Sequence, residues 1–233
     1  MGLKARPAHA GIASFAAIYD RAAQRKGGPA ALDPLLPQAK SRKALAATDD
    51  SRYLSAIAKN IFRAGFVWKV VDNKWPGFED AFGNFEILRV ASMDEEEIDD
   101  LAQDTRIIRN RQKITAVRDN ARFVFEMAQE HGSFGRYLAD WPHDDLIGLW
   151  EDLHRRGSRL GGFTRAVFLR EVGKDTFMLS ADVQLALIGA GVVSKTATSK
   201  RDLRAVQDAF NSWHSETGRP FCQLSRILAC SVG

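Results

Sequence analysis

The chain has 233 residues, 45% of them hydrophobic and 27% charged, and a formal charge of +4 at pH 7; it can bury one substantial core, or two lobes that share a cleft. No apolar run approaches the roughly 18 residues of a membrane span, and the start, MGLKARPAHAG, lacks the hydrophobic core of a secretory signal, so a cytoplasmic protein is expected. Cys222 and Cys230 are too few for a disulfide framework, and His131, His143, His154 and His214 are scattered without ligand spacing, so neither a metal nor a cofactor is expected.

The apolar pattern has a helical period nearly throughout and no sustained alternation of period two, which predicts an all-α fold. A first amphipathic helix covers 12–26, and GGPAALDPLLPQ breaks the chain after it. Asp49 and Asp50 can cap a helix running from about Arg52 to Val71, with Pro76 and Gly77 as punctuation. Short helices follow at 77–83, 85–91 and 94–104, the last opening on glutamates that suit a helix N-terminus. Further helices are expected at 111–131, 133–139 and 144–156. Gly161 and Gly162 can then take positive φ and let another backbone come close, while Val167, Phe168, Leu169 and Val172 mark the helix that follows. Past Asp182 the pattern predicts helices at 183–191, 199–215 and 222–230.

Charge is unevenly spread. Asp94 to Asp104 holds seven acids and no base, whereas Arg155 to Lys174 holds six Lys/Arg against the single acid Glu171. A second basic cluster comprises Arg106, Arg109, Arg111, Lys113, Arg118 and Arg122. A charge run is more often just a solvated helix face, but a basic segment around a glycine hairpin suits a phosphate backbone, because the hairpin presents main-chain amides at a helix N-terminus.

The order of glycine hairpin, helix and lone carboxylate in residues 157–182 resembles the helix-hairpin-helix DNA glycosylases. The resemblance implies two helical lobes with a cleft between them, of about 40–140 and of 1–39 with 141–233. It implies a hairpin that grips DNA through Leu160, Gly161, Gly162, Thr164 and Arg165, and a catalytic aspartate at Asp182. Superfamily members that also cut the strand carry a nucleophilic lysine where this chain has Thr164, which cannot form a Schiff base. A second block is similar to the 3-methyladenine DNA glycosylase I family: Ala64-Gly65-x-x-Trp68, Phe78 before Phe82 and Phe85, then Ile107-Ile108-Arg109, Lys113-Ile114 and Asn120-Ala121. That likeness implies a monofunctional glycosylase acting on 3-methyladenine in double-stranded DNA, as a monomer, with Trp68 and Tyr19 as aromatic faces for the flipped base; Phe62 is a further aromatic side chain that could stack on it.

Two departures accompany the matches. Where the family has a glutamate that reads the damaged purine, this chain has Asn60, and an amide keeps hydrogen-bonding capacity but loses the charge. The family's zinc ligands are missing: Asp20 follows Tyr19, no cysteine lies near the N-terminus, and some fifty residues continue past Asp182. A DNA-binding protein that has lost catalysis, or a glycosylase for another damaged or mispaired base, are the alternative readings. From the residues alone, Trp68 is by default a core side chain, and Asp182 could cap a helix beginning at Val183.

Overall fold

Helices begin and end where capping residues allow. The computed structural model describes residues 13–232, and among them there is no strand. Fourteen α-helices occur in this range: α1 (Phe15–Lys26), α2 (Pro29–Leu32), α3 (Arg42–Ala46), α4 (Asp50–Arg63), α5 (Trp68–Ala81), α6 (Ile87–Ala91), α7 (Glu95–Leu101), α8 (Arg111–His131), α9 (Phe134–Asp140), α10 (Leu146–Arg156), α11 (Gly162–Val172), α12 (Ala181–Gly189), α13 (Lys200–Thr217) and α14 (Phe221–Cys230). Asp94 opens α7 with a capping box to Glu97, and Asn110, Ser133 and Ser199 accept the free amides that open α8, α9 and α13. Position 12 of the expected first helix lies outside the described residues.

The region 52–81 departs from expectation. The helix expected to reach Val71 ends at Arg63, because Ala64 and Val67 are extended and Gly65 takes φ 75°. Pro76, expected to end a helix, instead sits inside α5. Packing overrides its intrinsic cost: Trp75 stacks on Phe78 at 4.8 Å and on Phe85 at 5.6 Å, and Phe82 stacks on Phe85 at 5.3 Å, so α5 is held along its length by its aromatic face.

The chain forms two compact units, one of residues 40–174 and one of the described residues up to 39 with those from 175 on. The first contains α3 to α11. Its core is built from Leu54, Phe62, Phe78, Phe82, Phe85, Ile114 and Val117. The other unit contains α1, α2 and α12 to α14, centred on Phe177, which stacks on Phe210 at 4.3 Å, with Phe221 and Trp213 around them. Residues 141–174, expected with the terminal segments, belong with 40–140. The reason is specific bonding: the Asn120 amide brackets Ser158, donating to its oxygen at 2.8 Å and accepting from its nitrogen at 3.1 Å, and Tyr137 donates to Asp152 at 2.8 Å.

Candidate functional site

Trp68 is the first residue of α5, and its position follows from the break before it. The turn through Ala64 and Gly65 turns Phe66, Val67 and Trp68 outward, and Trp68 is 47% exposed. An indole so open is unusual for a large aromatic side chain, and it rules out the core alternative. The Arg63 guanidinium lies over the ring, its Cζ 4.8 Å from the centroid. Arg63 is itself fixed by two carboxylates, donating through Nη2 to Asp72 at 2.5 Å and through Nη1 to Glu171 at 2.5 Å.

Asn60 is buried on α4, one turn before Arg63. Its Nδ2 donates to the Ala56 oxygen at 3.0 Å and to Glu171 Oε2 at 2.7 Å. Both amide hydrogens are thereby committed. Phe62 does not join this surface: it is fully buried and meets Phe78 edge-on at 4.6 Å, so the expectation that it stacks on a base is corrected. Helical periodicity explains the error, since Phe62 points from α4 into the core while Arg63 points along the surface.

Beneath the turn lies Lys113 of α8. Its Nζ donates to the main-chain oxygens of Phe62 at 3.1 Å and Ala64 at 2.7 Å, and it sits 5.3 Å from the Phe66 ring centroid. Burial, with the charge of Arg159, pushes this amine below its usual range. Lys113, Arg63 and Glu171 were not singled out as site residues from the sequence. The only signal for Glu171 is that it is the one acid in a basic run.

The hairpin is held in the same unit. Leu160 is fully buried and anchors it, a packing role rather than a contact with DNA. Arg159 and Gly162 take φ of 58° and 54°. No side chain caps α11, and Gly162 and Phe163 are exposed, so the first amides of that helix remain available to an outside acceptor. Beside them lies a cavity of about 360 Å³ lined by Ile61, Ala64, Lys113, His154, Gly157, Arg159 and Gly161. Thr164 is half-buried. Arg165 turns back into the fold, donating from Nη1 to the Trp150 oxygen at 3.1 Å with its guanidinium 5.4 Å from that indole, so its expected place on DNA is corrected.

Tyr19 and Asp182 belong to the other unit. Tyr19 is half-buried, with Arg219 5.0 Å over its ring and its hydroxyl 3.4 Å from Asp33. Asp182 is exposed in the first turn of α12. It is not the cap: the helix begins at Ala181, and Ser180 Oγ accepts from the Val183 nitrogen at 3.3 Å. Cys222 and Cys230 are both on α14, and no group of three potential ligands occurs among the described residues.

Residues 44–155 match the methyladenine glycosylase family. The chain is 36% identical over 87 residues to DNA-3-methyladenine glycosylase 1 of Escherichia coli, a match covering 37% of this chain and 46% of that protein, so it spans less than half the length of this relative. A crystal structure of a variant of 3-methyladenine DNA glycosylase I in complex with 3-methyladenine superposes with a TM-score of 0.50 at 23% identity, covering 66% of this chain and 91% of the other. A variant of the Staphylococcus aureus 3-methyladenine DNA glycosylase I is 25% identical, with a TM-score of 0.49 and coverage of 54% and 77%. The fold is that of the helical DNA glycosylases.

Proposed function

We propose that this chain, whose residues 44–155 belong to the methyladenine glycosylase family, is a monofunctional DNA glycosylase that removes alkylated purines, 3-methyladenine foremost, in base excision repair. The observation that carries this reading is the exposed indole of Trp68, set on a rigid helix start in the same unit as an uncapped helix-hairpin-helix. Main-chain amides of the hairpin bind a DNA phosphate and fix register without reading sequence. The target nucleotide is extruded from duplex DNA and its base stacks on Trp68, an interaction worth ~1–3 kcal/mol. Tyr19 is assigned as a second aromatic contact.

The reaction is hydrolysis. The bond from the sugar C1′ to the base nitrogen breaks, and the base leaves with the electron pair. Water supplies a new C1′–O bond and releases a proton to solvent. Positive charge develops on the sugar in between, and a carboxylate stabilises it where it appears. Asp182, exposed and relieved of capping by Ser180, is assigned that role. Alkylation makes the base a good leaving group, so no strong general acid is required. With Thr164 at the position of the lyase lysine there is no amine for a Schiff base there, and the strand is left intact. The protein acts as a monomer and without a cofactor. No described helix is long and apolar enough to cross a membrane.

The test is incubation of excess protein with methylated duplex DNA. Release of free 3-methyladenine, with strand breaks appearing only after alkali, supports the reading. Tight DNA binding with no free base would instead identify a binding protein that has lost the chemistry.

A further inference from the structure

Behind Trp68, Asn60, Arg63 and Glu171 form a cluster that joins α4 to α11. Glu171 is the single acid between Arg155 and Lys174, and it is turned toward α4 rather than toward its basic neighbours on the chain. We propose that Glu171 is the specificity-determining residue of the base site, accepting a hydrogen bond from the exocyclic amino group of an adenine-type base stacked on Trp68. The inference rests on the glycosylase reading above.

Valence supports it. An ionised carboxylate only accepts, and its two oxygens have room for about four hydrogen bonds. Here Oε1 accepts from Arg63 at 2.5 Å and Oε2 from Asn60 at 2.7 Å. The Glu171 side chain remains 34% exposed, so acceptor positions stay open to an incoming donor. Asn60 commits both its amide hydrogens, to Ala56 and to Glu171, and by donating to Oε2 it acts as a positioning residue that aims Glu171.

Placement supports it as well. The same guanidinium lies over the Trp68 ring, 4.8 Å from its centroid, and bonds Glu171 directly, so a single Arg63 side chain links the carboxylate to the indole. Arg63 is clamped from its other side by Asp72 at 2.5 Å, and its side chain is only 11% exposed, so the arrangement is preorganised. In the proposed arrangement a base on the open part of the indole has one edge at Glu171. An amino group on that edge is bonded, whereas a carbonyl oxygen in the same place meets the negative oxygens and is repelled. The site then favours methylated adenine over methylated guanine.

The experiment compares release of 3-methyladenine and 3-methylguanine from the same methylated DNA. The unaltered protein should favour 3-methyladenine. Glu171→Gln supplies an amide that can donate to the guanine carbonyl, and the ratio should fall about 10- to 100-fold, the size of losing a hydrogen bond to a charged acceptor. Asp72→Asn loosens one side of the Arg63 clamp but keeps the Glu171 acceptor, so the ratio should fall far less than with Glu171→Gln. Equal shifts in both variants, or no shift with Glu171→Gln, would overturn the proposal while leaving the glycosylase reading intact. If the unaltered protein releases neither base, it is the glycosylase reading that fails. A measurement on the unaltered protein keeps the question open to refutation if Glu171→Gln does not fold: quenching of tryptophan fluorescence by free 3-methyladenine and by the methylpurine lacking the amino group. Binding of the first should be at least about tenfold tighter, and equal binding would overturn the proposal.

Discussion

The Nζ of Lys113 donates to the main-chain oxygen of Ala64 at 2.7 Å, so α8 closes the end of α4 at the turn that presents Trp68. The same amine reaches the Phe62 oxygen at 3.1 Å. Lys113→Met keeps the length of the stem but leaves two carbonyls without a donor, each worth roughly 1–3 kcal/mol if it stays dry. We expect a loss of a few kcal/mol in urea unfolding and greater mobility of the Trp68 indole by fluorescence anisotropy. Unchanged stability would mean that water replaces the amine.

Trp68→Ala should cut single-turnover release of 3-methyladenine about 5- to 150-fold, the equivalent of ~1–3 kcal/mol of stacking, because the ring acts only once the base has flipped. Duplex affinity should hardly change. The ring is about half exposed, so the melting temperature should fall little. Equal losses in binding and release would place Trp68 on the duplex instead.

Gly162 takes φ 54°, and nothing lies within 4 Å of a Cβ added there, so a substitution acts through the backbone alone. Gly162→Val should weaken binding to all DNA sequences alike, by about tenfold for a strain of 1–2 kcal/mol. Gly162→Asn, which tolerates this conformation better, should lose less. Unchanged affinity in the valine variant, with the fold intact, would show that DNA docks elsewhere.

Asp182→Asn removes a charge from the first turn of α12 and leaves the Ser180 cap in place. If the carboxylate stabilises the sugar cation, release should slow on the order of 100- to 1000-fold, with DNA binding little altered and matched circular dichroism. A near-normal rate would show that excision relies on stacking and on the lability of the alkylated base.

Acid should weaken the hairpin-bearing unit through Asp152. Burial pushes this carboxyl up, but the Tyr137 hydroxyl and the charges of Arg155 and Arg156 outweigh it and hold the group below the usual 3.8. A depressed folded value means that the stabilisation is present above about pH 4 and is lost as the pH falls through the lower folded value. Asp152→Asn should lower stability at pH 7 and flatten the dependence on pH below 4. An identical acid profile in the variant would assign the sensitivity to other carboxylates.

Sequence alone determined the all-α class, the hairpin and most of the helices from α6 on, because each depends on neighbours within a few positions. The 3.6-residue period marks α8, α10 and α13, capping side chains such as Asn110 and Ser199 mark starts, and paired glycines mark the hairpin. Local reading failed where packing outweighed local preference, as at Pro76 inside α5. Tertiary structure alone decided which way side chains point across helices. It buried Phe62, turned Arg165 back onto Trp150, joined residues 141–174 to 40–140, and brought Asn60 to Glu171 across 111 positions and Lys113 to Ala64 across 49. A periodic pattern tells which face of a helix is apolar, but a hydrogen bond between two helices depends on their rotation and separation, and those are set by the whole core at once.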